Sequence, residues 1–280
     1  MTDKRHALVL FTKYPEPGVT KTRLMQENGG PLTALEAAEL YKAMVLDTAA
    51  VGLYALDCCR RNLQGEFSFC ISFSPEEHMS RIQEMFSTAL PAAAIEYIVD
   101  RGSNFDEHFN YCYRQLFENG YHAVVCIGGD LPGLTPDLIC RAFEWLSRLE
   151  ADSGSGAMVL APCQAAGVSL VGITRETGFD FRGVFYNSDG VTALDGLVRR
   201  AEQKGIPLAL FEAVSDVDFG EDLAHTTSVI NAMAYAARFQ QGILVPKRTL
   251  EFIRATGLVV CSEPNESRDP RDLIDHADSL

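Results

Sequence analysis

The chain has 280 residues, with 24 Lys and Arg against 38 Asp and Glu, a formal net charge of −14 and 47% hydrophobic residues. That length is ample for a sizeable core, and the apolar content excludes wholesale disorder. The acidic balance excludes a nucleic-acid wrapper, which needs a clustered basic surface, but a bound nucleotide needs only a few local cations.

No stretch approaches the roughly 18 uninterrupted apolar residues that a spanning helix needs. The apolar run near the N-terminus, before Thr12 and Lys13, is too short for a signal peptide. The eight cysteines show neither CxxC nor a zinc-site spacing with histidine. A reduced, cytoplasmic protein without a membrane span is therefore expected.

Strand and helix signals alternate along the chain. Ala7–Thr12 is a continuous apolar run, the pattern of a strand buried on both faces. Thr33 and Glu36 have capping-box spacing, and Thr33–Tyr54 reads as the helix they open. Phe67–Phe73 alternates as a strand, and Ser74-Pro75 with Glu77 opens a second helix. Ile95–Val99 is a short strand, Asn104–Glu118 a helix and Ala123–Ile127 another buried strand. Thr135-Pro136 starts a helix that runs to about Glu150. Two strands follow, at Ala157–Ala161 and Val168–Ile173, then a helix over Asp189–Gly205, a strand over Leu208–Ala213 and a long helix over Glu221–Gln241. This alternation predicts a mostly parallel sheet covered by helices on both faces. The domain is expected to span 1–242, and 243–280 to form a C-terminal extension, acidic and mobile from about residue 261.

In an open parallel sheet, ligands bind outside the carboxyl ends of the strands. Three segments there are unusual. The first follows the opening strand and places Lys13, Lys21 and Arg23 on a Pro/Gly-shaped loop. Cations so concentrated in an acidic protein suit an anionic ligand, with Lys as a point charge and Arg as a planar fork. The alternative is a solvated turn whose charges serve solubility. It is not a Walker loop, because the G-x-x-x-x-G-K-[ST] spacing is absent. The second is Gly128-Gly129-Asp130-Leu131-Pro132. Its glycines let a ligand approach the backbone, and Asp130 is a hard oxygen ligand suited to Mg²⁺ or Mn²⁺, unless it only caps a turn. The third is Asp216-Val217-Asp218-Phe219-Gly220-Glu221-Asp222-Leu223. Asp218 there offers a second carboxylate, while Glu221 and Asp222 suit a helix start.

Together these segments resemble the DUF2064 group of the nucleotide-diphospho-sugar transferase superfamily, whose members are grouped with glycosyltransferases and are related to 2-phospho-L-lactate guanylyltransferases. The opening pattern F-[AT]-[RK]-x-P-x-x-G-x-x-K-T-R-L is matched by Phe11 to Leu24, and G-[ST]-D-x-P-x-L-T by Gly128 to Thr135. The late D-V-D-T-P-E-D-L segment is matched by Asp216 to Leu223, with Phe219 and Gly220 in place of Thr-Pro. The resemblance runs from about residue 6 to 240. It implies a single-domain α/β fold, a GT-A-like Rossmann variant. It further implies nucleotide binding by Lys13, Gly18, Lys21, Thr22, Arg23, Gly128 and Gly129, metal binding by Asp130 and Asp218, and catalytic roles for Asp130 and Lys21. The implied cofactor is Mg²⁺ or Mn²⁺, and the implied partners are a nucleotide or nucleotide sugar and a small acceptor, with a homo-oligomer left open.

One departure concerns the G-P-A-x-D-G-G-Y stretch of the family, which reads Ala161-Pro162-Cys163-Gln164-Ala165-Ala166-Gly167-Val168 here. Ala165 and Val168 stand at the Asp and Tyr positions, on a loop expected to line the acceptor side. His108 lies where relatives often carry Leu-Gly-x-Arg and reads as a packing or surface residue rather than a donor to a ligand, and Asp100 and Arg101 close a strand near the pocket but are assigned no role. No G-x-S-x-G elbow and no G-x-G-x-x-G after the first strand occur. The expected function is a metal-dependent glycosyl- or nucleotidyltransferase. Its rival is a non-catalytic nucleotide-binding protein with a degenerate acceptor loop.

Overall fold

A computed structural model describes residues 4–261. Seven strands form one sheet: β1 (Arg5–Thr12), β2 (Glu66–Phe73), β3 (Ile95–Val99), β4 (Tyr121–Gly128), β5 (Met158–Pro162), β6 (Val168–Thr174) and β7 (Leu208–Leu210). Their order is β3-β2-β1-β4-β6-β5-β7. Every pairing is parallel except those of β6, which runs antiparallel to β4 and β5. In register, Leu10 of β1 sits between Ile71 of β2 and Ile127 of β4. The continuous apolar run of β1 is explained by this central position, since Ala7 to Leu10 are all fully buried.

The helices are α1 (Ala34–Asn62), α2 (Met79–Ala89), α3 (Phe105–Glu118), α4 (Pro136–Ser153), α5 (Ala193–Lys204), α6 (Gly220–Ala236) and α7 (Lys247–Thr256). Leu8 and Leu10 face a core built with α1, α2 and α4, whereas Ala7 and Val9 face one built with α3 and α5. Helices thus cover both faces of a mostly parallel sheet, as expected.

The signals at Thr33 and Thr135 act as read, whereas α2 starts only at Met79, because a 3-10 turn over Glu76–His78 intervenes and Pro75 stays extended outside it. The Thr33 hydroxyl accepts from the Glu36 amide at 3.3 Å, and the Glu36 carboxylate accepts from the Thr33 amide at 2.8 Å. Asn104 caps α3 and Thr135 caps α4. Boundaries differ where tertiary packing decides them. α1 continues eight residues beyond Tyr54 because its apolar face, including Leu56 and Cys59, still lies on the sheet. α5 starts only at Ala193, because Asn187 ties the preceding turn through its bonds to Asp189 and Val191. β7 keeps three residues of the expected six.

α7 has no counterpart in the sequence reading. It packs on α1 through the buried Asp47 carboxylate, which accepts from the Thr249 amide at 2.8 Å and the Thr249 hydroxyl at 2.9 Å. The acidic tail expected to be mobile lies, beyond Cys261, outside the described residues. Among the described residues, no helix is long and apolar enough to cross a membrane.

Candidate active site

Strand order reverses between β1 and β4: the chain leads from β1 toward β2 and from β4 toward β5, toward opposite edges of the sheet, and the two connections leave a crevice at the carboxyl ends of this strand pair. The loop after β1 folds on itself there. The Val19 and Thr20 amides both donate to the Glu16 carbonyl at 3.1 Å, and Gly18 takes the φ of +79° that the turn requires. Lys21 then adopts the left-handed region at φ +52°, a conformation costing a non-glycine residue about 1 kcal/mol. That turn directs its side chain inward, and a single helical turn over Thr22–Leu24 follows.

The Lys21 ammonium lies between two carboxylates that come from distant parts of the chain. It bonds to Asp130 and, at 2.8 Å, to Asp218. Its side chain is only 8% exposed. Burial works against the charge, but the Asp130 and Asp218 carboxylates outweigh it and hold the Lys21 pKa above the usual lysine range. Arg23 donates to the other Asp218 oxygen at 3.1 Å and lies over the Phe219 ring. Burial alone would raise the Asp218 pKa, yet the charges of Lys21 and Arg23 lower it. Among the described residues Asp216 has no ammonium partner, and burial together with the charges of Asp130 and Asp218 pushes it up to about 6.

Beside this cluster opens a cavity of about 580 Å³, lined by Thr12, Lys13, Gly128, Gly129, Asp130 and Asp218 among others. A second hollow, about 420 Å³, shares Lys13, Asp130 and Asp218 with it and is walled by Lys21, Thr22 and Arg23. The glycines are sterically required. A Cβ at Gly129 would stand 2.8 Å from Val45 and 3.4 Å from the Tyr41 hydroxyl, and one at Gly128 would stand 2.9 Å from the Asp130 carboxylate. Tyr41 closes the floor, its hydroxyl 2.9 Å from Thr12 Oγ1 and 3.3 Å from the Lys13 amide.

Most of the expected site residues therefore converge. Lys13 reaches both hollows, Thr22 reaches the smaller one, and Gly128, Gly129, Asp130 and Asp218 surround the larger. Gly18 lines neither and serves the turn. Lys21 and Arg23, read as free cations for a ligand's phosphates, are neutralised by protein carboxylates.

Sequence reasoning passed over four contributors. Asp216 and Tyr41 line the main cavity, and so does His108, which had been read as a packing or surface residue. Asp100, left without a role, is buried behind His108 at 2.7 Å. The available signal was the short distance between the end of a strand, Asp100, and the first turn of the next helix, His108.

The altered loop keeps its place. Gln164 donates to the Asp216 carbonyl at 2.7 Å and to Asp222 at 2.8 Å, and Asp222 in turn accepts from the Asp218 and Phe219 amides. Ala165 and Ala166 both sit in the left-handed region, at φ +54° and +55°. Ala166 stands where the family pattern has glycine.

The donor set fits a divalent ion of the hard class. Asp130 and Asp218 are both oxygen donors, and the Lys21 ammonium already marks a cation-stabilising position between them. Among the described residues, the one trio of His, Cys, Asp or Glu side chains with ligand atoms mutually within 4.8 Å lies elsewhere, at His122, Glu150 and Glu176. It already holds a cation, since Lys4 donates to Glu150 at 2.8 Å.

Residues 59–188 match the family model described as "Uncharacterized protein conserved in bacteria (DUF2064)". No curated protein matches the chain in sequence. Among solved structures, it is similar to a protein assigned as a nucleotide-diphospho-sugar transferase from Desulfovibrio desulfuricans G20. The identity is 22%, the match covers 92% of this chain and 96% of that one, and the TM-score is 0.66. A cytidylyltransferase from Leptospira borgpetersenii serovar Hardjo-bovis (strain JB197) overlaps 94% of this chain and 99% of its own, at 10% identity and a TM-score of 0.47. The family match includes Asp130 but stops short of the Lys21 loop and the Asp218 segment. Residues 59–188 thus resemble the DUF2064 family, and over nearly its whole length the chain shares the GT-A-like α/β fold of the Desulfovibrio protein.

Proposed function

We propose that the protein is a metal-dependent transferase that binds a nucleotide or nucleotide sugar in the crevice between β1 and β4 and passes a glycosyl or nucleotidyl group to a small acceptor. The observation that carries this reading is the Lys21 ammonium bridging Asp130 and Asp218 on the rim of the main cavity. Two carboxylates and a buried cation meeting at a switch point are suited to an anionic ligand that arrives with its own counter-ion.

Asp130 and Asp218 would hold Mg²⁺ or Mn²⁺, which when bound would neutralise charge on the phosphate oxygens. Lys21, released from the carboxylates as that ion takes its place, would be free to pair with phosphate. Lys13 flanks the same hollow, and Arg23, paired with Asp218 until the ion engages that carboxylate, would then also be free to pair with phosphate. Gly128 and Gly129 keep the backbone open for the ligand's approach. The altered Ala165–Val168 loop leaves the nucleotide side untouched and changes the acceptor side.

The test is release of nucleoside diphosphate or pyrophosphate from a panel of nucleotide sugars and nucleoside triphosphates with Mn²⁺ or Mg²⁺. Diphosphate release identifies glycosyl transfer and pyrophosphate release nucleotidyl transfer. No metal-dependent binding of any nucleotide contradicts the reading.

A further inference from the structure

Behind the aromatic wall of the main cavity lies a chain of three polar side chains that the proposed nucleotide site does not use. The His108 Nδ1 atom is 2.7 Å from Asp100 Oδ1. The Asp100 side chain is 1% exposed, and its second oxygen accepts from the Ser72 hydroxyl at 2.7 Å. Ser72 is itself fully buried at the end of β2. The Asp100 amide donates to the Phe73 carbonyl at 3.0 Å, so the carboxylate is held by a backbone continuous with the sheet. His108 stands on the first turn of α3, whose Asn104 cap orients it, and it lines the same cavity as Asp130, Asp216 and Asp218.

The chemistry of this arrangement is specific. A carboxylate can only accept, so the hydrogen bond assigns the proton of neutral His108 to Nδ1 and leaves the lone pair on Nε2. Nε2 has no protein partner among the described residues. A buried carboxylate behind an imidazole also stabilises the imidazolium once the ring gains a proton. A histidine that only packed would not need such a carboxylate, since burying one costs free energy unless it is fully bonded.

We infer that His108, positioned by Asp100 and Ser72, is the general base that deprotonates the hydroxyl of the acceptor. This rests on the transferase reading above and names its acceptor class, a neutral hydroxyl-bearing molecule. The proton of that hydroxyl passes to His108 Nε2 as the acceptor oxygen bonds to the electrophilic centre of the donor. The bond from that centre to the phosphate leaving group breaks, and its electron pair leaves on the phosphate oxygen. The imidazolium, paired with Asp100, then returns its proton to solvent.

The surroundings suit such an acceptor. Phe11, Phe105, Phe109 and Phe185 form the wall next to His108, with ring centroids 4.8 to 5.5 Å apart. That wall favours the apolar face of a hydroxylated ring and disfavours a charged acceptor. Asp130 and Asp218 are less suited to the task, because they are engaged by Lys21 in the structure and would hold the metal ion once it binds.

The experiment measures nucleotide affinity by calorimetry, and release of nucleoside diphosphate or pyrophosphate from the donor panel with Mn²⁺ and glycerol or water as acceptor. It compares wild type, His108→Ala and Asp100→Asn. His108→Ala is expected to bind nucleotide as wild type does and to lose release by about 10²- to 10⁴-fold, with partial recovery in added imidazole. Asp100→Asn is expected to lower kcat while leaving KM and nucleotide affinity unchanged. Undiminished release in His108→Ala, or a loss matched by weaker nucleotide binding, overturns the base while the transferase reading stands. Nucleotide binding without release to any acceptor, water included, also overturns the base. A wild type that binds no nucleotide overturns the transferase reading and the base with it.

Discussion

The Lys21 ammonium stands 2.8 Å from the Asp218 carboxylate although 197 positions separate the two residues in the chain. The loop after β1 and the segment after β7 meet only because the sheet brings both to the end of β4, where Asp130 completes the bridge. An amine that is 8% exposed and bonded to two carboxylates is a fixed charge of the fold. Any ligand cation must displace it or share its acceptors.

Replacing that charge should expose the carboxylates to one another. Lys21→Met is expected to destabilise the protein by about 2–3 kcal/mol, below the roughly 3–5 kcal/mol for breaking a fully buried pair, because Asp218 is partly solvated. Millimolar Mn²⁺ should then raise the Tm of the variant more than that of wild type, as an added ion takes the place of the ammonium. Thermal unfolding with and without Mn²⁺ tests this, and an equal metal response in both proteins rejects it.

Ala166 is held at φ +55° in a loop whose family pattern places glycine there. Glycine adopts that conformation freely, so Ala166→Gly should stabilise the protein by up to about 1 kcal/mol once its larger unfolded-state entropy is deducted. Chemical denaturation of the pair measures it. A destabilised variant would mean that the alanine methyl makes a contact worth more than the strain.

Asp47 fastens α7 to α1 through Thr249 and through the Arg248 guanidinium at 3.2 Å. Asp47→Ala leaves a buried amide and hydroxyl without an acceptor and should cost about 2–3 kcal/mol. The loss should appear in hydrogen exchange as faster exchange over Lys247–Thr256. Unchanged protection there contradicts the role given to Asp47.

His6 supplies the pH dependence. Burial, followed by the neighbouring His122 ring, pushes its pKa down to about 4 from the ordinary 6.5. The unfolded chain therefore binds more protons between these values, so stability is complete above pH 6.5 and is lost as pH falls toward 4. The loss should be about 3 kcal/mol. Among the described residues His6 Nδ1 is buried without a hydrogen-bond partner, so His6→Phe forfeits no bond there and should flatten the profile over that window. Denaturation midpoints at pH 4, 5 and 6.5 decide it, and an equal slope in both proteins assigns the dependence to another group.

What was legible in the chain depended on whether its cause was local. The apolar run of β1, the Thr33–Glu36 box and the helix start at Thr135-Pro136 are short-range chemistry, and each acts as read. α7 was invisible because its main anchor, Asp47, lies about two hundred residues upstream. The ion pairs of Lys21 were hidden for the same reason. Its positive charge was readable as a ligand contact, whereas its neutralisation by Asp130 and Asp218 follows only from sheet order. His108 and Asp100 are eight positions apart, so their closeness in the chain was readable, whereas the pairing itself depends on the turn between β3 and α3.

The most direct measurement is calorimetric titration of nucleoside diphosphate into wild type and Asp130→Asn, each with and without Mn²⁺. The amide nearly preserves the shape of the carboxylate and removes its charge, so the fold should persist. Nucleotide should bind wild type more tightly with Mn²⁺, and the substitution should abolish most of that gain. Equal metal-dependent affinity in the two proteins contradicts Asp130 as the metal ligand. Absence of nucleotide binding to wild type contradicts the assignment of the crevice itself.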